Sequence, residues 1–152
     1  MTGDEVEAAG RQAWAGLLHV HAALVPLLDR EMQQATGLPL AWYDVLLELN
    51  AAPDGRLRMG ELSGRVVLSR TRVSRLVEEM ARADLVHREA NPGDRRSAFA
   101  VITDLGRKRL REAAPIYMAG IRQHFTRHVP AGQLAALGAA LWQVKEQAVE
   151  PP

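Results

Sequence analysis

Residues Leu68 to Thr103 read LSRTRVSRLVEEMARADLVHREANPGDRRSAFAVIT, and this stretch decides the fold. Val73, Leu76, Val77 and Met80 follow the i, i+3, i+4, i+7 spacing of a helix with one buried face. Ser69 is a good N-cap, because its hydroxyl accepts a hydrogen bond from a free first-turn amide. The opposite face carries Thr71, Ser74, Arg75, Glu78 and Arg82, with Arg70 and Arg72 at its flanks. Asp84 ends the helix where glycine would be easier, and aspartate tolerates a left-handed backbone better than most residues. Leu85–Ala90 and Ala98–Ile102 then read as two antiparallel strands. The Pro-Gly pair and the Asn and Asp of NPGDRRS (Asn91–Ser97) are strong turn chemistry between them. A helix with a basic, hydroxyl-rich face is thus followed by a hairpin whose tip holds Asp94, Arg95 and Arg96.

Charge concentrates on the same region. The chain of 152 residues has a formal net charge of only +1. Residues 65–111 nevertheless hold 12 Lys/Arg against 6 Asp/Glu, whereas residues 1–64 hold 4 against 9 and residues 112–152 balance. A basic middle between an acidic and a neutral flank is an electrostatic footprint for a polyanion. The hydrophobic share of 47% is ample for a core. No apolar run reaches the ~18 residues a membrane span needs, and MTGDEVEAAG is too acidic and polar for a secretory signal. The expected setting is cytoplasmic. Cysteine is absent, which removes disulfides, thiolate metal sites and thiol redox chemistry.

Working outward, most of the chain reads as helix, with no internal repeat. A first helix spans about 5–35, with Trp14, Leu17, Leu18, His21, Leu24, Val25 and Leu28 on one stripe and Pro26 favouring a kink. Thr36-Gly37 ends it. A second helix runs from Pro39 to Ala51 on Trp42, Val45, Leu46 and Leu49. Pro53-Asp54-Gly55 turns the chain into a short extended segment, Arg56–Arg58. A third helix covers Gly60 to Val66; Gly60 and Gly64 lower its propensity, so tertiary packing must hold it. Thr103 caps a fifth helix expected to reach about His128, through Pro115. In the last helix Leu134, Leu137, Leu141, Val144 and Ala148 are spaced 3, 4, 3, 4, a narrow seam suited to helix-on-helix association in a dimer.

The order helix, helix, short strand, helix, helix, two-stranded wing, long helix, helix is mainly α with a small β-wing: a winged helix-turn-helix between terminal helices. LPLAWYDVLLELNAAPDGRLRMGELSGRVVLSRTRVSRLVEEM followed by LVHREANPGDRRSAFAVITDLG resembles the MarR (multiple-antibiotic-resistance regulator) family. The Arg-Met-x-Glu-Leu, Leu-Ser-x-x-x-Val and Asp-Arg-Arg elements carry the likeness in combination. Gly60, Gly64 and Asp84 depart from the usual pattern. The resemblance implies one chain, 1–152, with a DNA-binding lobe at 36–106 and dimerisation helices at 5–35 and 107–150. It implies a homodimer that puts a recognition helix in each of two major grooves and a wing in the adjacent minor grooves. The function expected is a transcription regulator, a ligand-responsive repressor on a pseudo-palindromic operator in double-stranded DNA.

The residues suit those roles. Thr71, Ser74 and Arg75 can reach base edges, while Ser69, Arg70 and Arg72 are better placed for phosphates. Arg96 matches the family's minor-groove arginine, and Asp94 matches the aspartate that orients it; Arg95 suits backbone contact. Glu78 can accept from a cytosine amine, but it is expected to pair with a nearby arginine such as Arg75 or Arg82. For a small aromatic or acidic effector the lining candidates are Trp14, His19, His21, Trp42 and Tyr43, although Trp14 and Trp42 also sit on core stripes. His124 and His128 have metal-compatible spacing, but two histidines make no site, and neither metal nor cofactor is expected. No His-Glu-x-x-His, phosphate loop or Gly-x-Ser-x-Gly turn marks an enzyme. The other readings are a winged-helix module for protein interaction and, less favoured, a small-molecule enzyme.

Overall fold

Thr2 opens the first helix with a capping box. Its hydroxyl accepts from the Glu5 amide, and the Glu5 carboxylate accepts from its own backbone N–H. The resulting helix α1, Gly3–Thr36, continues through Pro26 and ends at Gly37 in the left-handed region, φ 70°. The computed structural model describes residues 1–66 and 68–149. Val67 and positions 150–152, which include the last residue of the expected 107–150 segment, lie outside the described residues.

Only Leu28 and Met32 of α1 are buried. The stripe expected to be buried along its whole length is bare over its first half, with Trp14 61% and Leu18 51% exposed. The 3.6-residue period marks an apolar face, and it does not say which chain covers that face. Helix α2, Leu40–Ala51, is moored to α1 where Asp29 Oδ1 accepts from the Leu40 amide at 2.8 Å. Val45, Leu46 and Leu49 are fully buried.

A turn with Asp54 and Gly55 both at positive φ leads into β1, Arg56–Arg58. Helices α3, Met59–Arg65, and α4, Arg70–Arg82, follow, and then strands β2, Val86–Ala90, and β3, Ala98–Ile102. The sheet has order β1-β3-β2 and is antiparallel throughout. The wing is therefore three-stranded, not two-stranded. Leu57 pairs with Ala100, and Val86 with Ile102; all four are buried. The short extended segment gains its strand character from β3, whose free edge it covers.

Thr103 closes this lobe. Its hydroxyl lies 2.6 Å from the Asp84 carbonyl and 3.0 Å from that of Leu85, and accepts from the Gly106 amide at 2.9 Å. Helix α5, Asp104–His124, starts there. Gly106 has no room for a side chain, because a Cβ would strike the Leu85 carbonyl and crowd Ile102 and Leu46. The helix stops at His124, short of the expected His128, because Thr126–His128 winds into a separate 3-10 turn.

The chain divides into two compact units, Met1–Tyr117 and Met118–Pro152, so the break falls inside α5. In the second unit α6, Ala131–Val149, leaves Leu137, Leu141 and Val144 exposed, with Leu134 half-buried. No helix among the described residues is long and apolar enough to cross a membrane.

Tyr43 is 4% exposed, and its ring meets Tyr117 edge-on at 5.0 Å. It is a core residue, which removes it from the effector-lining set. Next to it, burial pushes the Asp44 carboxyl up to about 6, and the like charge of Glu48 one turn on adds to this. Burial, and then the Asp44 charge, also raise the hydroxyls of Tyr43 and Tyr117. A carboxyl raised from 3.8 to about 6 binds its proton more tightly in the folded chain. Its contribution to stability is therefore complete below about pH 4 and is lost as pH rises through 6. Asp44→Asn should gain in melting temperature over the native chain as pH rises from 4 to 7. A difference that stays constant across that range would refute this origin.

Candidate nucleic-acid interface

Ser69 Oγ accepts from the Arg72 amide at 3.4 Å and so starts α4 as expected. Val73, Val77 and Met80 are fully buried, and Leu76 is half-buried at the margin of the stripe. Their burial fixes the rotation of the helix. Ser69, Arg70, Thr71, Arg72 and Arg75 are therefore left exposed, with Ser74 half-buried. The helix ends as the Leu85 amide bonds back to the Met80 carbonyl at 3.0 Å, with Asp84 at φ 57°. Asp84 takes the left-handed position without a glycine.

Glu78 does not pair with Arg75 or Arg82. Its carboxylate meets the Arg88 guanidinium on β2 at 3.8 Å. The two are ten residues apart in sequence, and no local spacing rule joins a helix position to the strand beyond it. Packing of α4 against β2 brings them together.

At the wing tip Asn91 is 9% exposed and organises the turn. Its side chain donates to Ser97 Oγ at 2.9 Å and accepts from the Gly93 amide at 3.0 Å. Asp94 Oδ1 accepts from the backbone amide of Arg96 at 2.9 Å. The expected carboxylate–guanidinium pairing is absent among the described residues. Asp94 shapes the backbone beneath Arg96 and leaves the guanidinium unpaired, because an amide two residues on lies closer than the end of a long side chain. Asp94, Arg95 and Arg96 are all exposed.

The structure sorts the 12 cations of residues 65–111 into two sets. Arg65 pairs with Glu48, Arg88 with Glu78, and Lys108 and Arg109 with Glu112. Arg107 donates to Asn50 Oδ1 and Arg109 to the Thr36 carbonyl, both at 2.6 Å. Arg70, Arg72, Arg75, Arg82, Arg95, Arg96 and Arg111 make no ion pair among the described residues. Four of these are on α4, two at the wing tip and one on α5.

A model described as the MarR family matches residues 36–97. A MarR family transcriptional regulator from Streptomyces coelicolor, solved in complex with DNA, is 30% identical, with 99% of this chain and 91% of that one covered, TM-score 0.84. AbsC, a MarR family transcriptional regulator from the same organism, is 32% identical, covering 97% of this chain and 96% of its own, TM-score 0.81. The chain belongs to the MarR family. A MarR family transcriptional regulator from Silicibacter pomeroyi is 26% identical, with 97% and 99% covered and TM-score 0.76. No curated protein matches the sequence.

Of the effector-lining set in this MarR family chain, Trp14, His19 and His21 lie on the bare half of α1, and Trp42 is half-buried. Trp14 stands 15 residues before Asp29, the point where α2 is moored, or about 22 Å along the helix axis. Trp14 and Trp42 therefore do not form one cluster within a protomer. Among the described residues no group of three or more His, Cys, Asp or Glu is placed to hold a metal.

The Asp94 contact makes a local prediction. Asp94→Ala should speed hydrogen exchange at the Arg96 amide and leave the melting temperature within about 2 °C, as for an exposed turn. Unchanged exchange at that amide would show that the turn holds its shape without the carboxylate.

Proposed function

We propose that this chain is a sequence-specific DNA-binding transcription regulator, acting as a homodimer on a pseudo-palindromic operator. The observation that carries the reading is the set of six guanidinium groups on α4 and the wing tip, Arg70, Arg72, Arg75, Arg82, Arg95 and Arg96, that make no ion pair among the described residues. Unneutralised cations on one helix and one hairpin tip are suited to phosphates and base edges, and the DNA-bound relative adds weight. Thr71, Ser74 and Arg75 take base edges in the major groove; Ser69, Arg70 and Arg72 take phosphates. Arg96 takes the minor groove on a turn shaped by Asp94, and Arg95 takes backbone. The reading as a protein-interaction module without DNA leaves these free cations without a role, and no enzymatic step is proposed.

The homodimer is supported by two apolar faces, each considered alone. One comprises Trp14, Leu17 and Leu18 of α1; the other comprises Leu134, Leu137, Leu141 and Val144 of α6. Exposed side chains of this size in a row are costly unless a partner covers them. The 5–35 and 107–150 segments thus form the dimerisation lobe, and 36–106 the DNA-binding lobe. Repression by occupying a promoter, in the cytoplasm, is the mode proposed. A small aromatic or acidic effector would use Trp14, His19 and His21 on the bare half of α1.

Operator affinity should fall steeply with salt. Each neutralised phosphate adds about 0.9 to the slope of log affinity against log salt, so a dimer that sets Arg70, Arg72 and Arg95 of each protomer against phosphates gives a slope of about −5 or steeper. Arg96→Ala should weaken operator binding and reduce that slope while the dimer, followed by sedimentation, stays intact. A salt-insensitive native protein would overturn the DNA reading. Leu137→Glu with Leu141→Glu should yield monomers by the same sedimentation assay, and an unchanged dimer would move the interface elsewhere.

A further inference from the structure

Thr71, Ser74, Arg75 and Glu78 stand at i, i+3, i+4 and i+7 on α4. Seven residues at about 100° each bring Glu78 to within about 20° of the direction of Thr71, about 10.5 Å further along the axis. Glu78 therefore belongs to the same face as the base-reading residues, and its side chain is 49% exposed there. The other three are hydrogen-bond donors or can act as donors. An ionised carboxylate only accepts.

An acceptor with a negative charge is out of place on a surface that meets phosphates. It fits only if it is held away from the backbone and against a donor. In the major groove the donors are the exocyclic amines, N4 of cytosine and N6 of adenine. Guanine and thymine present acceptor oxygens that repel a carboxylate. Arg88 on β2 supplies the hold. Its Nη1 lies 3.8 Å from Glu78 Oε1, offsets part of the charge and ties the side chain to the wing strand. Glu78 Oε2 keeps no protein partner among the described residues.

We propose that Glu78 is a specificity-determining residue of the recognition helix. It selects a base that carries an exocyclic amine, cytosine first, and Arg88 positions it for that contact. Arg75, three residues earlier, offers the complementary donor set for guanine. One face then reads both partners of the donor–acceptor code at neighbouring steps. The proposal rests on the reading of the protein as a DNA-binding regulator.

The test is selection of the full-length protein on a randomised double-stranded oligonucleotide pool, followed by sequencing of the bound fraction. The native chain should favour cytosine over guanine and thymine at one position in each half-site by about tenfold. Glu78→Ala should flatten the preference at that position alone. Glu78→Gln should move it toward adenine, which glutamine can both donate to and accept from. Arg88→Met should weaken the preference and Arg88→Lys restore it, with helix content by circular dichroism unchanged in all four variants.

If Glu78→Ala enriches the same bases at every position, the proposal falls and the DNA reading stands. A uniform change in affinity without a change in base preference also overturns it and reduces the Glu78–Arg88 pair to a structural contact. If Arg88→Met keeps the full preference, the positioning half falls. A native chain that enriches no sequence overturns both this proposal and the DNA reading.

Discussion

The closure at Thr103 is the constraint on which the rest of the winged-helix lobe depends. One hydroxyl meets the Asp84 and Leu85 carbonyls just beyond α4, accepts the Gly106 amide in the first turn of α5, and directly follows β3. The backbone amide of Thr103 adds a bond to the Leu85 carbonyl at 3.1 Å. The last carbonyls of α4 are taken by the amides of Ala83, Asp84 and Leu85, and Thr103 supplies the partners for the Asp84 and Leu85 carbonyls that follow. Gly106 lets α5 come close enough for this by presenting no side chain to Leu85. The turn after α4, the base of the wing and the start of α5 are thus held together. With that end held, the three fully buried residues of α4 settle its rotation, and rotation decides which side chains face outward.

Charge follows from the same packing. In sequence the arginines of the middle third look equivalent. In the fold, those at the edges of the lobe go to structure: Arg65 to α2, Arg107 to the end of α2, and Arg109 to the end of α1. Those on α4 and at the wing tip stay free, and two of the nearby carboxylates are held by other groups. Glu78 is held by Arg88, and Glu89 by His87 and Arg56. The guanidinium of Arg56 also lies 4.8 Å over the Phe99 ring, which keeps it on the sheet. The hydrogen bond from His87, with the charges of His87 and Arg56, holds the Glu89 carboxyl below its usual range. Which cations stay free is therefore decided by packing between elements as well as by where the arginines stand in the sequence.

Much of this was legible in the chain. The Ser69 cap, the Val73–Val77–Met80 stripe, the left-handed Asp84, the Asn91–Ser97 turn and the Thr103 cap all follow from local rules, and each depends on residues within one or two turns. The family likeness of residues 36–106 came from short motifs in a fixed order. The differences share one physical origin. The stripe that holds Trp14 predicts burial, and Trp14 is bare. Tyr43 is packed on Tyr117 and closed to a ligand. Helical spacing pairs Glu78 with its own helix, whereas its partner stands on β2. Asp94 binds an amide in place of a guanidinium. Arg56–Arg58 completes the sheet.

The sequence by itself determined the helices, the turn, the wing and the basic face, because periodicity, capping and turn chemistry act over a few residues. Only the tertiary structure decided which apolar face is covered within the chain, which acid each arginine meets, and what Asp94 holds. Those outcomes depend on distances between elements far apart in sequence, and hydrophobic period and charge count do not encode distance. An amphipathic stripe has the same pattern whether its partner is its own chain or a second copy. The bare first half of α1 and the exposed seam of α6 are where that difference shows.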